Sequence, residues 1–179
     1  MTVRSDLIDT LIEKAQNRIF LDVGSYAAGG AGWSILDWRD GAEVRHSPME
    51  APWPLEDQSV FYIRCLRFLQ HIPHACLHHP RDPFIEIMEE CWRVLLPEGK
   101  VWITVPYAET QAAWGDPTNR RVFVPETFKI LNRTERRMRN IPDDYTTCNF
   151  IVSHGFTWDE EAVIRELHVE LYRPEEGDR

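Results

Sequence analysis

Residues 82–105, DPFIEIMEECWRVLLPEGKVWITV, carry the reading on which the fold turns. Asp82 followed by Pro83 is a strong helix start: a short acid able to accept a backbone N–H, then proline in the first turn, where a missing donor costs nothing. Phe84, Ile87, Met88, Cys91, Val94 and Leu95 recur at helical spacing and make one apolar stripe, which Pro97-Glu98-Gly99 is expected to stop. Lys100–Val105 then reads as a strand, rich in β-branched and aromatic residues. A crossover helix set between strands argues for an α/β fold with a largely parallel sheet and right-handed connections.

Working upstream, Ser59–Cys65, Ala42–His46, Trp33–Trp38 and Ile19–Val23 each read as strands, the first of the chain closed by Gly24 and the second ending in acid at Asp37. Pro48, Pro52 and Pro54 make 48–57 a surface connection, and Pro73 limits any helix over Phe68–His79. Tyr26–Gly32 holds three glycines and three alanines and is expected to be a loop. Ser5–Asn17 places Leu7, Ile8, Leu11, Ile12 and Ala15 at amphipathic spacing behind a Ser5 cap. Downstream, Phe128–Met138 is expected to be helical, and Asn149–Trp158 with Ile164–Tyr172 to form an antiparallel edge pair. The expected architecture is a compact, Rossmann-like, doubly wound, mostly parallel sheet with an antiparallel C-terminal edge. One domain is expected over residues 1–179, with an N-terminal helix at 1–18, a core at 19–128, and a helix and edge strands at 129–179.

The 179 residues carry 20 Lys and Arg against 29 Asp and Glu, a net charge of −9, with no long basic stripe, which argues against nucleic acid or an anionic membrane as partner. No run approaches the ~20 apolar residues of a membrane span, and the N-terminus lacks the apolar centre of an export signal. Cys65, Cys76, Cys91 and Cys148 form no CxxC pair and read as reduced thiols, so the expectation is a cytoplasmic globular domain.

Several segments then fall into a recognisable order: Leu21-Asp-Val-Gly24, Asp37, Pro52–Ser59, Leu69-Gln-His-Ile72, Arg93–Gly99, Val101–Pro106 and Gly115–Arg120. The series resembles class I S-adenosylmethionine-dependent methyltransferases of a compact, methyltransferase-11-like branch. In that branch a GCG turn is followed by NVD, PFPDNSFD, LEHI, RVLKPGG and GDPTHRR. The likeness runs from about residue 19 to 128 and implies S-adenosylmethionine as cofactor. It implies that Asp22, Gly24 and Ser25 line the methionine end, that Asp37 holds the ribose, and that Cys65 and Leu66 flank the cofactor on the substrate side. A glycine after the first strand and an acid after the second suit those tasks physically, since ligands of open α/β sheets lie beyond the strand ends. A tight turn and a solvated carboxylate would explain the same two residues.

The departures cluster on the cofactor side. Tyr26 stands where the branch keeps a small residue, Ser47-Pro48 replaces an acid after the third strand, Val60–Ile63 loses an acid, Gln70 replaces the LEHI glutamate, and Asn119 replaces the histidine of GDPTH. The loop Tyr26–Gly32 is also too short for the full helix a regular methyltransferase places there, which weakens a dipole that favours the cofactor carboxylate. Two readings therefore stand: methyl transfer to a small or polymer-borne acceptor, or a catalytically inactive methyltransferase-like subunit that binds or supports a partner. A remodelled pocket for another nucleoside-like ligand is a third, and a homo-oligomer or a protein partner is compatible with each.

Within the resemblance His71 is the candidate general base, although a structural hydrogen bond explains it equally. Tyr107, Asp116 and Asn119 are candidate substrate contacts on a loop over the same end of the sheet, and Gly-Asp-Pro-Thr is also simply good turn sequence. His71, His74 and His78, with Cys76 and His79, raise a metal site, but Pro73 and Pro80 disturb the spacing, and no metal is assigned. Arg133, Arg136, Arg137 and Arg139 read as a solvated helix face compensated by Glu135, Asp143 and Asp144 rather than as an anion site. Trp33, Trp38 and Trp102 are expected to pack in the sheet, while Trp53 and Trp114, on loops, offer a stacking wall for a planar ligand.

Overall fold

The computed structural model describes residues 18–24, 32–75, 81–158 and 165–175. The helix expected at 5–17 and most of the glycine-rich loop, with Tyr26, lie outside them. Seven strands form one sheet: β1 (Ile19–Val23), β2 (Ser34–Asp37), β3 (Val44–Arg45), β4 (Val60–Leu66), β5 (Leu95–Pro106), β6 (Ile151–Trp158) and β7 (Arg165–Tyr172), in the order β3-β2-β1-β4-β5-β7-β6. The first five pair in parallel, and β7 joins antiparallel to both β5 and β6. This is a Rossmann-like α/β fold with a mostly parallel sheet and an antiparallel edge. The chain steps outward through β1, β2 and β3, then returns to lay β4 on the other side of β1. The carboxyl ends of β1 and β4 thus flank a topological switch point.

Alternation in β1 explains its place at the centre. Leu21 and Val23 are buried in the core, while Phe20 on the opposite face meets Trp33 at 5.6 Å and Tyr62 at 6.5 Å between ring centres. Helix α1 (Pro83–Val94) begins at Asp82, whose side chain accepts the Phe84 N–H at 2.9 Å, and it buries Phe84, Ile87, Met88, Cys91 and Val94. Phe84 meets Phe123 and Phe128, the latter on α3 (Pro125–Lys129), at 5.7 and 5.9 Å. Arg121 straps this corner together, donating to the Ile72 and Pro73 carbonyls and pairing with Asp82 at 2.8 Å.

Several local expectations are corrected. Pro97-Glu98-Gly99 does not act as a loop that stops α1: the helix ends at Val94 and β5 starts at once, absorbing those residues as a bulge. Glu98 takes φ +63°, and a side chain at Gly99 would meet the Phe61 and Leu96 carbonyls at 2.8 Å, so the bend needs glycine there. The helix expected over Phe128–Met138 is two short ones, α3 and α4 (Arg133–Met138), because Asn132 turns its side chain to accept the Glu135 N–H at 3.0 Å and caps a new start. Of the segment Phe68–His79, the described part forms a 3-10 turn at Leu69–His71 ahead of Pro73, while a short α2 (Gln111–Gly115) appears where no helix was expected.

Arg136 leaves the solvated-face reading altogether. It is fully buried, and its guanidinium donates to the carbonyls of Ile130, Cys148 and Thr146 at 2.9, 3.0 and 3.3 Å. Arg137 does pair with Asp143, at 2.9 Å. Trp38 is 64% exposed rather than packed in the sheet, whereas Trp53 is buried, with its indole N–H on the Pro48 carbonyl, and so offers no stacking wall.

Candidate functional site

Gly24 ends β1 with φ +67° and donates its N–H to the Leu36 carbonyl at 3.0 Å, which locks the turn onto β2. The space that a side chain would need is filled from within the chain: the Phe68 ring lies 2.3 Å from the position of a Cβ. The glycine is therefore required by Phe68, not only by any ligand. Asp22, one residue in, is fully buried, and its Oδ2 takes the Arg64 guanidinium at 2.5 Å; Arg64 itself lies over the Trp33 ring at 4.1 Å. Asp37 closes β2 as a buried residue, its Oδ1 accepting the Arg39 N–H at 2.9 Å. Cys65 turns into the core, where it hydrogen-bonds the Cys91 thiol and, with burial, holds that thiol well above its ordinary range. Leu66 is half-buried, and Ser25 lies outside the described residues.

On the other side of the switch point a cavity of about 350 Å³ opens beyond the ends of β4, β5 and β7. Arg67, Gln70, Pro106, Ala112, Asp116, Asn119 and Glu166 are among the residues that line it. The expected contacts Asp116 and Asn119 are thus brought together. Arg67, Gln70 and Glu166 were not read as site residues. Arg67 holds φ +52°, its N–H on the Thr104 carbonyl, and its side chain pairs with Glu166 from β7. Asp116 Oδ1 accepts both the hydroxyl and the N–H of Thr118, at 2.7 and 2.8 Å, and these bonds keep the carboxyl below its usual range. Tyr107 stands beside this end of β5, half-buried, its ring edge-on to Phe156 at 5.0 Å.

His71 is held on both sides. Its Nδ1 lies 3.2 Å from the Thr118 carbonyl and its Nε2 3.2 Å from the Gln70 Nε2. Gln70 can only donate there, so the tautomer that suits both contacts carries its proton on Nδ1. Of the histidine cluster, His71 and His74 are described and Cys76, His78 and His79 are not; among the described residues no three ligating side chains gather for a metal.

No protein-family profile matches the chain, and no curated protein does. Solved structures do. A methyltransferase dependent on S-adenosylmethionine from Archaeoglobus fulgidus matches with a TM-score of 0.57 at 14% identity, over 96% of this chain and 93% of that one. The chain has the class I methyltransferase fold. The 1,6-didemethyltoxoflavin-N1-methyltransferase of Burkholderia thailandensis, solved with 1,6-didemethyltoxoflavin and S-adenosylhomocysteine, matches at 0.51 and 14% identity, over 93% and 76% of the two chains. Phosphoethanolamine N-methyltransferase 2 of Haemonchus contortus, solved with phosphomonomethylethanolamine and S-adenosylhomocysteine, matches at 0.54 and 13% identity, over 89% of this chain and 49% of that one. At such identities the class I methyltransferase likeness is one of backbone path. Among the described residues no helix is long and apolar enough to cross a membrane.

Proposed function

We propose that this chain is an S-adenosylmethionine-dependent methyltransferase of the cytoplasm, acting on a small or polymer-borne acceptor. The observation that carries the reading is the division of labour around the switch point. An acid and a left-handed glycine turn end β2 and β1, and a cavity with Arg67, Gln70, Asp116, Asn119 and Glu166 in its wall opens at the ends of β4, β5 and β7. Ligands of open α/β sheets bind where strand order reverses, and these two halves suit a nucleoside and an acceptor side by side. The residues fit the cofactor at its ribose end, where the Asp37 carboxylate is the acceptor a diol requires. When bound, the cofactor supplies a methyl group made electrophilic by a sulfonium.

The protein's part is alignment. Asp37 accepts from the ribose, the Gly24 turn and Leu66 bound the site, and the buried Asp22–Arg64 pair fixes the end of β1 beneath it. Asp116 and Asn119 orient the acceptor, with Tyr107 beside them. His71, engaged at both nitrogens, acts as a positioning residue that holds Thr118 and, through it, Asp116.

A second reading, a methyltransferase-like binding subunit without cofactor, is favoured by the Phe68 ring seated on Gly24, where the methionine end would approach. Calorimetric titration with S-adenosylhomocysteine separates the two. The methyltransferase reading expects micromolar binding, weakened about tenfold or more in Asp37→Ala as the ribose hydrogen bonds are lost. A folded protein with no heat of binding at millimolar ligand supports the second reading, most clearly if Phe68→Ala gains binding that the wild type lacks.

A further inference from the structure

We infer that β6 is an interaction surface and that its occupant is a second copy of this chain, paired strand to strand in an antiparallel, two-fold dimer. The two edges of the sheet differ. At one, β3 is two residues long and ends in Arg45, which is exposed and pairs with Asp40 at 3.0 Å. Short edge strands and charged side chains are the ordinary protection against pairing with another chain. At the other, β6 runs eight residues and is bonded to β7 alone, with no described strand on its outer side. Nothing covers it: Ile151 and Ser153–Thr157 are all exposed, Ile151 at 52% and Phe156 at 41%. An edge strand of this length leaves a row of backbone N–H and C=O groups on its outer side, ready for a further ladder.

Charge selects the occupant. From Tyr145 to Trp158 the chain has no Asp, Glu, Lys or Arg, although such residues make up 27% of it and its net charge is −9. Two copies repel through the rest of their surfaces, but along this strand they approach with no like charges opposed. A charged foreign strand would find no counter-charge in β6. Antiparallel pairing centred on His154 also sets Val152 of one copy opposite Phe156 of the other, apolar against apolar. With β3 protected, the pairing uses the one open edge of each chain and closes at two copies. The dimer does not depend on whether the chain binds S-adenosylmethionine.

The test is sedimentation equilibrium of the full chain in reducing buffer, from micromolar to millimolar, repeated for substitutions at Gly155. That residue is suited to it because its backbone is not left-handed and a Cβ there meets nothing within 4 Å, so a side chain can be added without disturbing the fold. Wild type is expected to show a monomer–dimer equilibrium. Gly155→Lys should raise the dissociation constant about tenfold or more, whereas Gly155→Val, which adds bulk and strand propensity without charge, should leave it unchanged or lower it. Ile151→Lys, at an exposed position on the same face, should act like Gly155→Lys and carries the test if that variant does not fold. The backbone amides of β6 should exchange with solvent more slowly in wild type than in Gly155→Lys at equal concentration. A wild type that stays monomeric at millimolar concentration, association that continues past two copies, or a dimer that both lysine variants leave intact overturns the inference. So does a monomer whose β6 amides become protected only when an extended Lys-Val repeat peptide is added, which would make the occupant a foreign strand.

Discussion

Cys148 sits sealed between α1 and the approach to β6, its Sγ 3.3 Å from the Met88 carbonyl, and burial pushes its thiol up to about 12. A thiol held neutral by burial contributes its stabilisation in full below its unfolded value and loses it as pH rises toward the folded one. The affected window therefore runs from near 9 to about 12, with a slope of about 1.4 kcal/mol per pH unit for each such group. Cys91 adds to the same loss, so the Cys148 share is read by difference: urea midpoints of wild type and Cys148→Ala should converge as pH climbs through that window. Parallel curves would show that Cys148 does not titrate as the fold implies. None of this was legible in the sequence beyond the reading of the cysteines as reduced. The burial of Cys148 and of Arg136, which donates to its carbonyl, depends on a corner assembled from three separate segments, whereas a run of arginines read alone looks like surface.

Helix α1 was legible nearly to the residue because its signals are local: the Asp82 cap, Pro83, and an apolar stripe with one period. The start of β5 was not, since the bulge at Pro97–Gly99 answers to the Phe61 carbonyl on the neighbouring strand, and no local rule contains that contact. The split at Asn132 was present as an Asn-x-x-Glu cap signal but was hidden by the apolar run around it. The junction of β1 with the segment after β4 is similar: Gly24 was read as room for a ligand, and the room is taken by Phe68. Gly24→Ala should cost about 1 kcal/mol for the left-handed backbone. It should cost about 1–3 kcal/mol more for the clash with a ring that is itself packed in the core. In a Phe68→Ala background only the backbone cost should remain. Urea denaturation of the two single variants and the double variant measures this coupling, and an unchanged glycine penalty without the ring would mean that Phe68 does not hold this turn.

At the scale of the whole molecule, the late strands were legible as an antiparallel pair, but their insertion, with β7 rather than β6 against β5, was not. Alternation in Leu167, Val169 and Leu171 says which face is buried and nothing about which neighbour covers it. That placement has two consequences. It delivers Glu166 to the cavity wall, joining the antiparallel edge of the sheet to a site otherwise built from the ends of β4 and β5. It also covers β5 along seven paired residues from Lys100 to Pro106. A chain ending at Cys148 would lose the burial of Leu167, Val169 and Leu171, at about 1.5–3 kcal/mol apiece, a sum comparable with the whole stability of a domain at about 5–15 kcal/mol. It would also bare the edge of β5, an unpaired strand able to recruit other chains. The truncated chain should therefore show no cooperative urea transition and should self-associate, as seen by light scattering, whereas Glu166→Ala in the full chain should unfold cooperatively and lose only the Arg67 pair. A cooperative transition with an unreduced urea slope in the truncated chain would mean that β1–β5 stand alone and that the closing hairpin serves the cavity without supporting the sheet.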